Sequence, residues 1–198
     1  ILTIENQETK AILDSDANGY FAQWETNDRM GTVVVTGSSL TAGSSTITPG
    51  SPASVAVYNG YKKFKGGEEV YAYYPFSADT KTLSAKMSIP AEQSQSGLVF
   101  DFDAMPMVGG KYVIPDALDS MTYPVSGKLC MANMASVAEF RIYAGSSEFA
   151  GEKITSVSFS ADAPIAGSFS VDLAGVNIYD PSTLAISGYS ATAVTTSV

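Results

Sequence analysis

The sequence contains no histidine and a single cysteine, Cys130. Histidine is the commonest general base and metal ligand near neutral pH, and a Ser-His-Asp triad cannot be built without it. One cysteine cannot close an internal disulfide. Because Cys130 lies in the apolar run 129–132, we expect it to be a buried small hydrophobic residue.

Basic residues and long apolar runs are also scarce. The 198 residues include 11 Lys and Arg against 20 Asp and Glu, a net charge of -9. Nucleic acids and anionic membrane surfaces repel such a chain, and no basic stripe offsets the repulsion. The sequence has no signal peptide and no apolar run of about 18 residues, so it predicts no membrane span. It opens on strand-like residues without methionine, and we expect a mature or trimmed form.

Alternation of apolar and polar residues is the main structural signal. It is clearest in three segments, 138–142, 156–160 and 168–173. Successive strand residues point to opposite faces, so this pattern predicts a sheet with one dry and one wet face, which is typical of antiparallel sheets. The alternation recurs at 30–36, 83–89 and 98–102, and strand-like residues also occur at 1–5, 55–57, 70–74 and 191–198. With about ten strands and no convincing helix, we predict an all-β fold, an antiparallel β-sandwich forming one domain over residues 1–198.

Two stretches lack that alternation. Residues 37–52 are rich in Ser, Thr and Gly, which predicts a surface loop or a weak hairpin. Residues 104–123 contain prolines and a Gly-Gly pair, which predicts an irregular loop carrying methionines. Single helical turns are conceivable at 117–121 and 132–138.

Aspartates offer two candidate chemistries. Asp101 and Asp103 would lie about 7 Å apart on one strand face, within the range of glycosidase carboxylate pairs, but such pairs are also common at strand ends. Together with Asp116 and Asp119 they could bind calcium, although the ligand spacing of a dedicated calcium site is missing. We therefore predict no catalytic residue, no metal site and no cofactor, and not an enzyme.

Tyrosines offer a third candidate. Tyr71 and Tyr73 share one face of a predicted strand, and Tyr74 lies on the other. With Tyr58 and Tyr61 they could form an aromatic platform for sugars, or they could be core residues. Both interpretations stay open at this point.

Several stretches, taken in order, resemble one family. They are Trp24-Glu25-Thr26-Asn27-Asp28-Arg29-Met30-Gly31, Tyr71-Ala72-Tyr73-Tyr74-Pro75-Phe76-Ser77, Ile89-Pro90-Ala91-Glu92-Gln93 followed by Asp103-Ala104-Met105, and the paired strand patterns 129–143 and 154–173. In this order and spacing they are similar to the fimbrillins of Bacteroidetes, the subunits of surface fimbriae known as type V pili. The resemblance covers most of the chain from Thr9 onward.

The resemblance implies a transthyretin-like N-terminal sandwich, a lipoprotein precursor exported to the outer membrane, and polymerisation by strand exchange. The removable strand would consist of Ile1, Leu2, Thr3 and Ile4, and it would fill a strand-binding groove of the subunit before assembly. Another pilin subunit would supply the replacement strand by β-augmentation. Lys10 would be the trimming site. The family usually has an arginine there and a second sandwich domain, so we expect residues 1–198 to be the N-terminal domain of a longer precursor.

The predicted function is a structural or adhesive fimbrial subunit at the bacterial cell surface. Its partners would be other pilin subunits, together with a host or bacterial surface protein or glycan. The alternative is a surface glycan-binding β-sandwich module that uses Tyr71 and Tyr73.

Overall fold

The structure is a computed structural model. It describes residues 2–6, 12–16, 19–26, 28–50, 55–58, 64–93, 105–116, 127–135, 143, 145, 147–149, 151–162, 165–180, 184–188 and 195–197. The strands are β1 (Leu2–Asn6), β2 (Ile12–Asp16), β3 (Gly19–Gln23), β4 (Arg29–Thr36), β5 (Ser39–Pro49), β6 (Val55–Tyr58), β7 (Glu69–Tyr74), β8 (Ser84–Ile89), β9 (Met107–Gly109), β10 (Tyr112–Val113), β11 (Gly127–Asn133), β12 (Ser158–Ser160), β13 (Gly167–Asp172), β14 (Ile186–Ser187) and β15 (Thr195–Ser197). The helical elements in this part of the chain are two single 3-10 turns, Ser147–Phe149 and Leu173–Gly175. The predicted all-β class with antiparallel sheets is confirmed.

Seven strands form a closed ladder. Their order is β7–β4–β5–β6–β1–β11–β9, and β9 pairs back with β7 at Tyr73–Val108 and Tyr74–Met107. β10 pairs with the other end of β7, through Val70 and Glu69. Among these strands β1–β11 is the one parallel pairing; the others are antiparallel. Closure pairs the backbone groups that the edges of an open sheet leave unsatisfied.

The closed ladder surrounds the first hydrophobic core, called here the inner core. Its members come from strands of the ladder and the segments beside them: Trp24, Met30, Val34, Ile47, Phe64, Val70, Ala72, Tyr74, Met107, Ile114, Leu129 and Met131. Alternate residues of β4 and β7 point into it, as strand geometry requires.

Val33, Tyr71 and Tyr73, which alternate with those residues, point to a second core on the opposite face, called here the outer core. It contains Val33, Tyr71, Tyr73, Ala85, Met87, Val108, Phe169, Val171 and Leu173. A separate three-stranded sheet, in the order β14–β13–β8, supplies its other half. Side chains from both sheets therefore share the outer core, while the β-sandwich, its transthyretin-like arrangement and the single domain stay predictions.

Three predictions from the sequence alone are wrong. Residues 39–49, expected as a loop or weak hairpin, form the 11-residue strand β5. The expected loop 104–123 contains β9 and β10, and its Met105 and Met107 are buried. Segment 156–160 was expected to face a core, but all three residues of β12 are exposed and Phe159 is 44% exposed.

The other strand predictions have mixed outcomes. The predicted strands at 1–5, 30–36, 55–57, 70–74, 83–89 and 168–173 correspond to β1, β4, β6, β7, β8 and β13. Part of segment 191–198 forms β15, which pairs with β12. Segments 98–102 and 138–142 lie outside the described residues. Cys130 is half-buried rather than fully buried.

Candidate strand-exchange site

The first two motif segments pack against each other through a group of three side chains, called here the Trp24 cluster: Trp24, Asp28 and Tyr74. The rings of Trp24 and Tyr74 meet edge to face with centroids 5.3 Å apart. The Tyr74 hydroxyl donates to Asp28 Oδ1 at 3.1 Å, and the backbone N–H of Glu25 donates to Asp28 Oδ2 at 2.8 Å. Burial raises the pKa of Asp28 above its usual value, and these two hydrogen bonds partly oppose that rise. The cluster therefore fixes the entry to β4 against the end of β7.

A second set of contacts joins the same two segments. The Arg29 guanidinium lies 4.6 Å from the centre of the Phe76 ring, and the Phe76 N–H donates to the Arg29 carbonyl at 3.0 Å. Gly31 pairs with Tyr73, whose ring occupies the space that a Cβ at residue 31 would need. These contacts give the aromatic, acidic and glycine residues of both motifs a structural role, which is to hold β4 and β7 together.

The predicted ligand face at Tyr71 and Tyr73 is wrong. Tyr71 is 4% exposed and Tyr73 is 0% exposed, because the three-stranded sheet covers that face of β7. Both hydroxyls are used internally: Tyr71 donates to Glu69 Oε2 at 2.8 Å, and Tyr73 donates to the Ser77 carbonyl at 3.0 Å. Of the other two platform candidates, the structure describes only the backbone of Tyr58, and Tyr61 lies outside the described residues.

The hydroxyl of Tyr71 belongs to a small polar chain at the edge of the outer core. Glu69 accepts from Tyr71 through one carboxylate oxygen and pairs with Lys111 Nζ at 3.0 Å through the other. The hydrogen bonds from Lys111 and Tyr71 lower the pKa of Glu69. Burial, with the Glu69 charge adding to it, raises the pKa of Tyr71 to about 12. The phenol is therefore neutral at physiological pH and acts as a donor.

The predicted removable strand lies within the closed ladder. Leu2, Thr3 and Ile4 belong to β1, which lies between β6 and β11. The antiparallel ladder with β6 runs from Leu2–Tyr58 to Glu5–Val55. The parallel ladder with β11 runs from Leu2–Gly127 to Asn6–Met131. Ile1 and Lys10 lie outside the described residues.

The space between β6 and β11 that β1 fills is called here the β1 slot. Strands in a sheet are about 4.8 Å apart, so without β1 the two walls would be about 10 Å apart, each with unpaired backbone groups facing the gap. That is the geometry that accepts one extended polypeptide. Next to the slot, the buried Leu129 and Met131 of β11 extend into the inner core, where Met30 and Met107 also lie. Methionine side chains adapt to neighbours of different shape.

A cleft of about 330 Å³ lies between residues 110–112, residues 129–130 of β11 and residues 176–179. Its lining residues are Gly110, Lys111, Tyr112, Leu129, Cys130, Val176, Asn177, Ile178 and Tyr179. The Tyr179 side chain is 73% exposed, and Lys111 belongs to the ion pair with Glu69. Sequence reasoning missed this cleft; the Gly109-Gly110 pair, where the chain leaves β9, was the available signal. The cleft can hold a small ligand, and its lining suggests no catalytic chemistry.

The candidate aspartates do not converge where the structure describes them. Asp116 lies against the turn at Gly66 and Gly67, whereas Asp101, Asp103 and Asp119 lie outside the described residues. Within the described part of the chain, no group of three His, Cys, Asp or Glu side chains could hold a metal ion.

No protein-family model, curated protein or solved structure matches the chain. In the described ranges, no helix has the length and apolarity needed to cross a membrane.

Proposed function

We propose that this protein is a structural fimbrial subunit of the bacterial surface that assembles by β-strand exchange and contributes to cell adhesion. The observation that carries the proposal is the position of β1 inside the closed ladder, between two strands far from it in sequence. The resemblance to fimbrillins supports it independently, because the strand that the resemblance marks as removable is the one that fills this gap.

The chain connectivity fits removal of β1. A single cut between β1 and β2 separates β1 from every later strand while leaving each of the other ladder pairings intact. Lys10 is the only basic residue in that interval, so a protease specific for basic residues has one place to act there. After the cut, β1 is held by its two ladders alone and can be displaced by a strand of another subunit.

Assembly in this proposal depends on short-range backbone pairing. Copies with a net charge of -9 repel one another at long range, and salt screens that repulsion within about 10 Å. Moderate salt should therefore speed assembly. The proposal places the chain in an exported lipoprotein precursor at the outer membrane, with other pilin subunits as its main partners and a host or bacterial surface protein or glycan as the adhesive target.

Limited proteolysis of the full chain tests this proposal. A trypsin-like protease should cut at Lys10, and the cut protein should convert from monomer to linear multimers, followed by light scattering and electron microscopy. Lys10→Gln should block both cleavage and assembly, whereas Lys81→Gln, a change at an exposed lysine before β8, should block neither. A cut protein that releases residues 1–10 and stays monomeric would contradict strand exchange.

The cleft beside β11 supports a second candidate, a glycan-binding module. Tyr179, the most exposed ring of its lining, could stack on a sugar ring, and Tyr112 and Lys111 line the same cleft. Glycan-array binding that disappears in Tyr179→Ala and persists in Tyr143→Ala, a change at another exposed tyrosine, would favour this candidate.

A further inference from the structure

We infer that the cleft beside β11 holds an acidic sugar, with the sugar ring on Tyr179 and the sugar carboxylate on Lys111. This inference rests on the proposed function, which allows a glycan as the adhesive target, and it names the class of that glycan. A carboxylate attached to the ring, as in a uronic acid, distinguishes this class from the neutral hexoses.

The charge of the lining favours a negatively charged ligand. Acidic residues outnumber basic ones in the chain by 20 to 11, yet among the lining residues that the structure describes the one charged side chain is the cation Lys111. The lining residues at 129–130 and 176–179 are all uncharged. A ligand carboxylate in the cleft therefore contacts a cation and, on the described walls, no anion.

Lys111 can bind such a carboxylate without losing its present partner. In the described part of the chain its Nζ makes one hydrogen bond, to Glu69 Oε1 at 3.0 Å, and an ammonium group has three N–H donors. The ion pair is open to solvent, with side-chain exposures of 49% for Lys111 and 34% for Glu69, so it is weak and can rearrange. Glu69 also accepts from the Tyr71 hydroxyl, which would hold it in place if Lys111 moved toward a ligand.

The rest of the lining suits the ring of a sugar. The Tyr179 side chain is 73% exposed, and the C–H face of a pyranose can pack on its ring. Leu129, Val176 and Ile178 add apolar side chains to the same cleft. A volume of about 330 Å³ is at the small end for ligand pockets, which fits one sugar ring with its substituents.

Two probes, methyl glucuronide and methyl glucoside, test the inference. They share the pyranose ring and differ only in whether a carboxylate or a hydroxymethyl group is attached to it. NMR titration of the isotope-labelled full chain, followed at the backbone amides of residues 110–112 and 176–179, gives both the site and the dissociation constant. We expect the glucuronide to bind about fivefold more tightly, the size expected of a solvent-exposed ion pair.

Variants assign this preference to particular side chains. Lys111→Gln should abolish the preference, whereas Lys81→Gln, a change at an exposed lysine outside the described lining, should keep it. Glu69→Gln removes the competing carboxylate and keeps an oxygen that can accept from Tyr71, so it should raise the preference about threefold further. A purely structural role of the ion pair would not produce that rise. Tyr179→Ala should weaken the binding of both sugars.

The outcomes separate this inference from the proposed function. If both sugars bind equally and Tyr179→Ala weakens both, the cleft is a glycan site and its preference for acidic sugars is wrong. A preference that survives Lys111→Gln also overturns the inference. If neither sugar shifts the signals of the cleft, the inference fails, while strand exchange, which cleavage at Lys10 tests, is unaffected.

Discussion

β7 and β12 were both predicted as strands from their sequences, and they have opposite surroundings. All residues of β7 from Val70 to Tyr74 are buried, since the inner core covers one face and the outer core the other. All residues of β12 are exposed, and within the described chain it pairs only with the three residues of β15. Strand-like residues therefore identify a strand, but what covers each face depends on segments elsewhere in the chain.

One local difference between the two strands does carry information. Residues 70–74 are apolar or aromatic at every position, a pattern typical of strands buried on both faces. Residues 156–160 place serines at alternate positions, which is compatible with half-burial or with exposure. The tyrosines of β7 suggested a ligand platform, whereas the unbroken run of apolar and aromatic residues indicated a core strand.

The largest expected effect comes from shortening one phenylalanine in each environment. Phe169→Ala removes a buried ring of the outer core and should lower the free energy of unfolding by about 3–5 kcal/mol. Phe159→Ala, in β12, should cost less than about 1 kcal/mol because its ring is already substantially exposed. Denaturant unfolding of both variants measures the contrast, and equal losses would show that β12 is covered in solution.

The next effect tests how closely β4 and β7 approach. Gly31→Ala places a methyl group in the space of the Tyr73 ring and should cost about 1–3 kcal/mol through overpacking. Gly145→Ala, where the added Cβ meets nothing within 4 Å, is the matched control and should change stability by less than about 0.5 kcal/mol. Thermal unfolding measures the melting temperatures of the two variants. An unchanged melting temperature for Gly31→Ala would contradict the close packing of the Tyr73 ring on Gly31.

The smallest effect concerns pH and the covered face of β7. Tyr71 has a pKa of about 12 in the folded protein against an ordinary 10.0, so between these values the unfolded chain releases a proton that the folded protein keeps. Stability should therefore fall as pH rises from 10 to 12. Tyr71→Phe should show a shallower fall over that window in denaturant unfolding. An identical pH dependence would mean that the Tyr71 hydroxyl is solvated.

The fold class and most strands could be predicted because they depend on local sequence period. β5 was missed because Ser, Thr and Gly suggest a loop, although β-branched Thr and Ile47 suit a strand that pairs on both sides. β9 and β10 were missed because Pro106 and the Gly109-Gly110 pair interrupt the pattern, while burial of Met107 and Val108 comes from neighbours across the sheet.

The candidate site was predictable only in part. Residues 1–5 indicate a strand by themselves, whereas the pairing of β1 with β11 joins segments more than a hundred residues apart. No local pattern determines such a pairing, nor the opposite directions of the two walls. For the same reason the contact between Trp24 and Tyr74 could not be derived from either motif alone, although both motifs were visible.

The contact between Gly31 and Tyr73 has a consequence for misfolding. If β7 shifted along β4 by one position, Tyr73 would pair with Met30 or Thr32, whose side chains would crowd its ring, whereas Gly31 leaves the ring room. The same shift would send every residue of β7 to the wrong face, exchanging the contents of the two cores. A glycine opposite a large ring thus penalises the off-register compact states that would otherwise compete with the native pairing during folding.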